Sequence, residues 1–164
     1  MPEATVNTNP TRHPIYGVWE AQLRECRQFP TVLEMPLEGS PVMWLRSQQD
    51  TVKLLWANRG EATVLAGLGT AACVEGDPGQ SPQSLVTRCR DRLAGHPELK
   101  FYGGFAFRGD RPVLGAEWQP FGSAIFWLPR LTFDGHCLRL VVLDPSDVRA
   151  ALRSIQQLRP LDPH

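Results

Sequence analysis

Apolar residues recur along this chain with two different periods, and each period predicts a different element. From His13 to Arg27, Ile15, Trp19, Leu23 and Cys26 fall at helical spacing, which predicts an amphipathic helix that Phe29-Pro30 ends. The clearest helical stripe lies near the C-terminus, where Val148, Ala151, Leu152, Ile155 and Leu158 share one face. Asp144 stands where a cap is needed, Pro145 takes the first helical position, and Pro160 stops the run. Ser40-Pro41 and Ser81-Pro82 use the same device, since a serine can cap and a proline there gives up no hydrogen bond. The first opens a short helix carrying Val42, Met43, Trp44 and Leu45. The second presents Leu85, Val86, Cys89 and Leu93 and stops at Gly95.

Elsewhere the pattern is that of strands. Thr31 to Met35 predicts a short one. Val52 to Ala57 and Ala62 to Leu68 predict a hairpin whose turn is Asn58-Arg59-Gly60-Glu61. Leu99 to Phe107 and Ser123 to Phe133 are aromatic-rich strands, with Gly109-Asp110-Arg111-Pro112 as a turn between them. Asp134-Gly135 is a strong hairpin signal, and Cys137 to Leu143 returns antiparallel. Antiparallel strands punctuated by helices give an α+β fold, with β-sheet layers and flanking helices, rather than a parallel βαβ sheet. One domain is expected over residues 13–164, after a polar, proline-containing tail at 1–12 expected to be disordered. Burying the five-residue terminal stripe is worth on the order of 5–10 kcal/mol, so it needs a covering layer, either this chain's own sheet or a partner's.

Three places break the strand pattern. Gly103 and Gly104 interrupt the first aromatic run, and a glycine pair inside a strand marks a bulge or a close backbone approach. Pro129-Arg130 interrupts the second, and a proline there predicts an edge or an irregularity. Gly67 and Gly69 predict tight packing against a neighbour. Their G-x-G spacing is no nucleotide loop, because no helix follows directly.

The order of these features resembles the chorismate-utilising enzymes, and within them the isochorismate synthases. The residues that carry the resemblance are Phe101, Tyr102, Gly103, Gly104, Phe105, Ala106 and Phe107, then Trp118, then Phe121, Ala124, Phe126, Leu128, Pro129 and Arg130. Trp56, Ala57, Arg59 and Gly60, followed by Leu65-Ala66-Gly67-Leu68-Gly69, are similar to a paired-strand segment of the same family. The resemblance runs from about Met43 to Leu158. It implies the N-terminal scaffold portion of an isochorismate synthase, whose magnesium-dependent reaction turns chorismate into isochorismate for menaquinone, phylloquinone, siderophore or salicylate pathways. Anthranilate and aminodeoxychorismate synthases share the architecture, but the Trp56–Gly60 and Ala66–Gly69 segments look more like the isochorismate branch.

In that family the chemistry belongs to a C-terminal half, which holds a lysine base, a glutamate acid, magnesium-binding glutamates and the groups that grip chorismate. No segment here resembles it, and the lysines, Lys53 and Lys100, both lie in the scaffold part. The resemblance therefore implies a scaffold that is inactive alone and completed by a catalytic half encoded elsewhere. Magnesium and chorismate belong to that complete enzyme. The other expectation is a stand-alone binding or assembly module that kept the scaffold without the chemistry.

Composition narrows the remaining classes. With 17 basic and 17 acidic residues the net charge is zero, so no global field steers the chain to nucleic acid or to a membrane surface. No apolar run approaches the roughly 18–20 residues needed to span a bilayer, and the first residues lack the apolar core of a secretion signal. A cytoplasmic location is expected. Cys26, Cys73, Cys89 and Cys137 are widely spaced and read as reduced, buried thiols; no metal site is expected, from these or from His136-Cys137.

No catalytic residue emerges. Ser84, Ser123 and Ser146 lack a nucleophile setting, and Glu117 and Asp110 read as turn carboxylates. Phe101, Tyr102, Phe105, Phe107, Phe126 and Trp127 alternate at strand period and read as core rather than as a base-stacking platform. Arg88, Arg90 and Arg92 read as a solvated helix face. Arg130 is the one ligand-facing candidate, because a guanidinium pairs well with a carboxylate. The commoner role, and the favoured one, is a structural arginine bonding carbonyls at a proline-broken strand.

Overall fold

Every expected strand that falls among the described residues pairs into one antiparallel sheet. The computed structural model describes residues 15–59, 64–77, 79–93, 95–106 and 122–160. The tail at 1–12, the Gly109–Pro112 turn and the Trp118 position lie outside these residues. In chain order the elements are α1 (Ile15–Glu25), β1 (Thr31–Pro36), α2 (Pro41–Ser47), β2 (Lys53–Ala57), β3 (Val64–Gly76), α3 (Pro82–Arg92), β4 (Tyr102–Phe105), β5 (Ala124–Phe133), β6 (Cys137–Val142), a 3-10 turn (Pro145–Asp147) and α4 (Val148–Gln157).

The caps read from the sequence are made. Ser40 Oγ accepts the Met43 N–H at 3.4 Å, and Ser81 Oγ accepts that of Ser84 at 3.2 Å. Asp144 Oδ1 accepts the N–H groups of Ser146 and Asp147 at 2.8 and 3.2 Å. It caps the 3-10 turn rather than α4 itself, which begins three residues later than the pattern implies.

The strands lie in the order β1-β6-β5-β3-β2, with β4 added against β5. Strand β5 is the spine. β3 runs along one edge of it from the Ala66–Phe133 pair to the Gly76–Ala124 pair. A strand has only two edges, so β4 and β6 share the other: β4 lies opposite Ala124–Trp127 and β6 opposite Leu131–Phe133. Leu128, Pro129 and Arg130 fall in the gap between them. Pro129 therefore sits inside an interior strand, opposite Thr70 at the irregularity of the β3 ladder and in the gap between the β4 and β6 ladders.

Strand β3 outruns its expected end at Leu68 by eight residues. Gly69 marks a bend within it. Gly69 adopts φ +65, and the register against β5 slips between Thr70 and Ala72, which is a β-bulge. Gly67 packs as expected: a Cβ there would meet Pro129 Cγ at 2.9 Å and Leu54 Cβ at 3.1 Å. At the first aromatic run the strand is shorter than expected, only Tyr102–Phe105 among the described residues. A Cβ on Gly103 would collide with the Ile125 carbonyl oxygen, which is the close backbone approach its sequence position implies, whereas Gly104 has open space.

The main core joins Trp19 and Leu23 of α1, Trp44 of α2, Met35, Leu131, Phe133, Leu138 and Leu140 of the sheet, and Ala151 and Ile155 of α4. Trp44 and Phe133 meet at a tilt of 60°, with ring centroids 5.6 Å apart. The terminal stripe thus packs on this chain's own sheet and α1. On β6, Leu140 and Val142 belong to this core while Val141 belongs to a second cluster with Ala72, Leu99 and Leu128. Alternate strand residues point to opposite faces, so the two clusters lie on opposite sides of β6. Helix α3 builds a third cluster, in which Leu85 and Cys89 pack on Val74 and Ala124.

Candidate functional site

Arg130 follows directly from the irregular strand that precedes it. Only 3% exposed, it lies at the break between β4 and β6, where the open ladder leaves backbone carbonyls without strand partners. Its guanidinium donates to the Val141 carbonyl at 2.7 Å and to that of Thr70 at 3.3 Å. It also grips both carboxylate oxygens of Asp147, at 2.5 and 2.6 Å, in a bidentate pair. Asp147 in turn accepts the Leu143 N–H at 3.0 Å. One ion pair thereby ties β3, β5, β6 and the start of α4 together. These internal partners are those of a structural arginine. The missed residue is Asp147, whose partner lies 17 positions away, beyond any local pattern.

A second polar anchor also escaped sequence reading. Gln48 is buried, donates to the carbonyls of Trp44 and Arg159 at 3.1 Å each, and accepts the Arg159 N–H at 2.9 Å. It stitches the end of α2 to the end of α4. A cavity of about 320 Å³ opens beside it, lined by Asp50, Ser154 and Gln157 among others.

The remaining candidates stay apart. Ser123 Oγ donates to the Gly76 carbonyl at 2.6 Å, and Ser84 Oγ to that of Ser81 at 2.9 Å, so both serve local backbone. Glu117 and Asp110 lie outside the described residues. His136 pairs with Glu38 at 2.8 Å on the surface. The cysteines are free, but only Cys89 is buried, where desolvation pushes its thiol upward against the pull of Arg88 and Arg92. Among the described residues, no group of three histidines, cysteines or acids is placed to hold a metal ion, and no helix is long and apolar enough to cross a membrane.

The aromatic set fills its expected role as core only in part: Phe101 and Phe126 pack against the second and third clusters, and Phe107 lies outside the described residues. Phe105 is 44% exposed, and Phe101, Tyr102, Phe126 and Trp127 are only partly buried. Tyr102 meets Trp56, itself half exposed, at 5.7 Å between ring centroids, and Phe105 meets Phe126 edge-on at 5.0 Å. Beside them an open cavity of about 610 Å³ lies between α3 and the segment leading into β4. Its wall is apolar, from Val86, Leu93, Leu99, Phe101 and Phe126, and its rim carries Arg90, His96 and Lys100.

No protein-family model and no curated protein sequence matches the chain. Its fold is similar to that of MenF, the menaquinone-specific isochorismate synthase from Escherichia coli, with a TM-score of 0.59 and 21% sequence identity. The likeness covers 93% of this chain but 36% of the other, so the chain spans about a third of that enzyme's length. At that identity the likeness establishes the fold.

Proposed function

We propose that this chain is the N-terminal scaffold portion of an isochorismate synthase, needing a catalytic half to convert chorismate to isochorismate. The observation that carries the reading is the coincidence of two likenesses. The ordered residues from Trp56 to Arg130 resemble this family, and the fold of almost the whole chain is similar to that of one such enzyme. Among the described residues, no group of three histidines, cysteines or acids is placed to hold a metal ion. Lys53 donates to the Gln48 carbonyl at 2.7 Å, and Lys100 is exposed on the rim of an apolar cavity. The base, the acid and the magnesium ligands would then come from the catalytic half, with the reaction in the cytoplasm.

The test begins with the coding sequence beside this one. A segment bearing the lysine and glutamates of the catalytic half should be encoded there. Co-expressed, the two parts should form isochorismate from chorismate and magnesium, while this chain alone forms none. Turnover by the chain alone, or the lack of any such segment, would overturn the proposal. The second result favours a stand-alone binding module instead.

A further inference from the structure

We propose that the cavity between α3 and the lead into β4 binds a small aromatic carboxylate. The inference stands on the cavity itself and does not depend on the family reading. At about 610 Å³ it has the size of a small-molecule site. Phe101 and Phe126 offer ring faces, and Leu93, Leu99 and Val86 complete an apolar wall suited to a flat, apolar body.

Charge sets the rest of the ligand. Arg90 near the end of α3 and Lys100 just before β4 stand at the rim, both exposed, and neither makes an ion pair among the described residues. His96 is already engaged, its Nδ1 3.0 Å from Glu98. None of the described residues lining the cavity is itself a carboxylate; Glu98 stands beside it, engaged by His96, while Arg90 and Lys100 have no such partner among the described residues. An arginine fork matches a carboxylate in geometry as well as sign, and an ammonium group on the same cavity lining adds a second positive charge. Two free cations on a chain of zero net charge suit a single anionic head rather than a polyanion such as nucleic acid.

Three probes with the same ring separate these contributions: 2-naphthoate, 2-naphthylmethanol and 2-naphthylmethylamine, titrated into the full chain by calorimetry. Naphthoate should bind tightest and the amine weakest. Arg90→Gln and Lys100→Gln should each weaken naphthoate about 5- to 10-fold while leaving the alcohol unchanged, as expected for losing one charge-assisted contact. Both side chains are exposed, so circular dichroism should show the fold intact. Phe126→Leu should weaken all three probes alike. Equal binding of the three, naphthoate binding indifferent to Arg90→Gln and Lys100→Gln, or no naphthoate binding at about 1 mM would overturn the proposal.

Discussion

The two ends of β5 are built from similar residues and do different things. Beyond Arg130, Leu131 and Phe133 are fully buried between β3 and β6, under α1, α2 and α4. Before Pro129, Ile125, Phe126 and Trp127 lie between β3 and a four-residue β4, and remain partly exposed beside an open cavity. One aromatic strand thus passes from a sealed core to a ligand-sized flank, and the Pro129-Arg130 step is the division. Stability should concentrate at one end and tolerance to change at the other.

The largest effect should come from the division itself. Arg130→Met leaves the Asp147 carboxylate, whose side chain is 14% exposed, without its cation. An uncompensated charge in such a place costs about 3–5 kcal/mol, against a whole-domain stability of roughly 5–15 kcal/mol. Urea unfolding at neutral pH should show a loss of that size. Arg130→Lys should recover only part of it, because an ammonium group cannot reproduce the bidentate fork. The double variant Arg130→Met/Asp147→Leu should lose less than the two single losses added together. A loss below about 1 kcal/mol for Arg130→Met would show that the ion pair does not hold the two ends together.

Next in size is the glycine pair of β4. Gly103→Ala places a methyl group on the Ile125 carbonyl, and backbone there cannot yield as a side-chain tip would. A loss of about 2–3 kcal/mol is expected, with amide exchange accelerating over Tyr102–Phe105 before the rest of the sheet. Gly104→Ala meets open space and should be neutral or stabilising by up to about 0.5 kcal/mol. Equal effects from the two would contradict the observed pairing of β4 with β5.

How far the sequence disclosed this division depends on the range of each interaction. The caps at Ser40, Ser81 and Asp144 and the Asp134-Gly135 turn join neighbours a few residues apart, so pattern alone located them. Gly67 and Gly103 announced close approaches, though not to what. Arg130 was singled out, and its guanidinium contacts two backbone carbonyls and Asp147. Its partner Asp147 was not legible, because only the folding of β5, β6 and the 3-10 turn brings them together. The aromatic run misled in one respect. Strand-period alternation shows that side chains share a face, not how fully it is covered, so residues read as core proved to pack on it only in part, with Phe105 left exposed. The cavity beside them depends on α3 meeting β4, and no local pattern encodes that.

At the sealed end, the turn joining β5 and β6 should carry a pH dependence. Burial of Asp134 favours its protonated form, but the Arg139 guanidinium and the N–H groups of His136 and Cys137 outweigh that and hold its pKa below the usual range. These contacts are 2.8 Å to Arg139, 3.0 Å to His136 and 2.8 Å to Cys137. A depressed carboxylate adds stability above its unfolded pKa of about 3.9 and loses it as pH falls through the lower folded value. Asp134→Asn should therefore cost about 1 kcal/mol at pH 7, and the gap to the unaltered chain should close below about pH 3. A gap that persists at low pH would mean the carboxylate's charge is not what stabilises the turn.

The smallest effect should fall at the open end. Phe105 gives up much of its surface to solvent, and its described ring contact is the edge-on meeting with Phe126. Truncation leaves no enclosed void, so the cavity penalty that makes buried Phe→Ala cost about 3–5 kcal/mol does not arise. What remains is a partial transfer term and one aromatic pair, about 1 kcal/mol together. Phe133→Ala should cost several times more, since that ring is wholly enclosed and packs at a tilt against Trp44. Chemical denaturation of both variants sharpens the comparison: the ratio of their losses measures how unevenly one strand shares out the stability of the sheet. If Phe105→Ala proved as costly as Phe133→Ala, the open flank would in fact be closed, and no cavity beside it could admit a ligand.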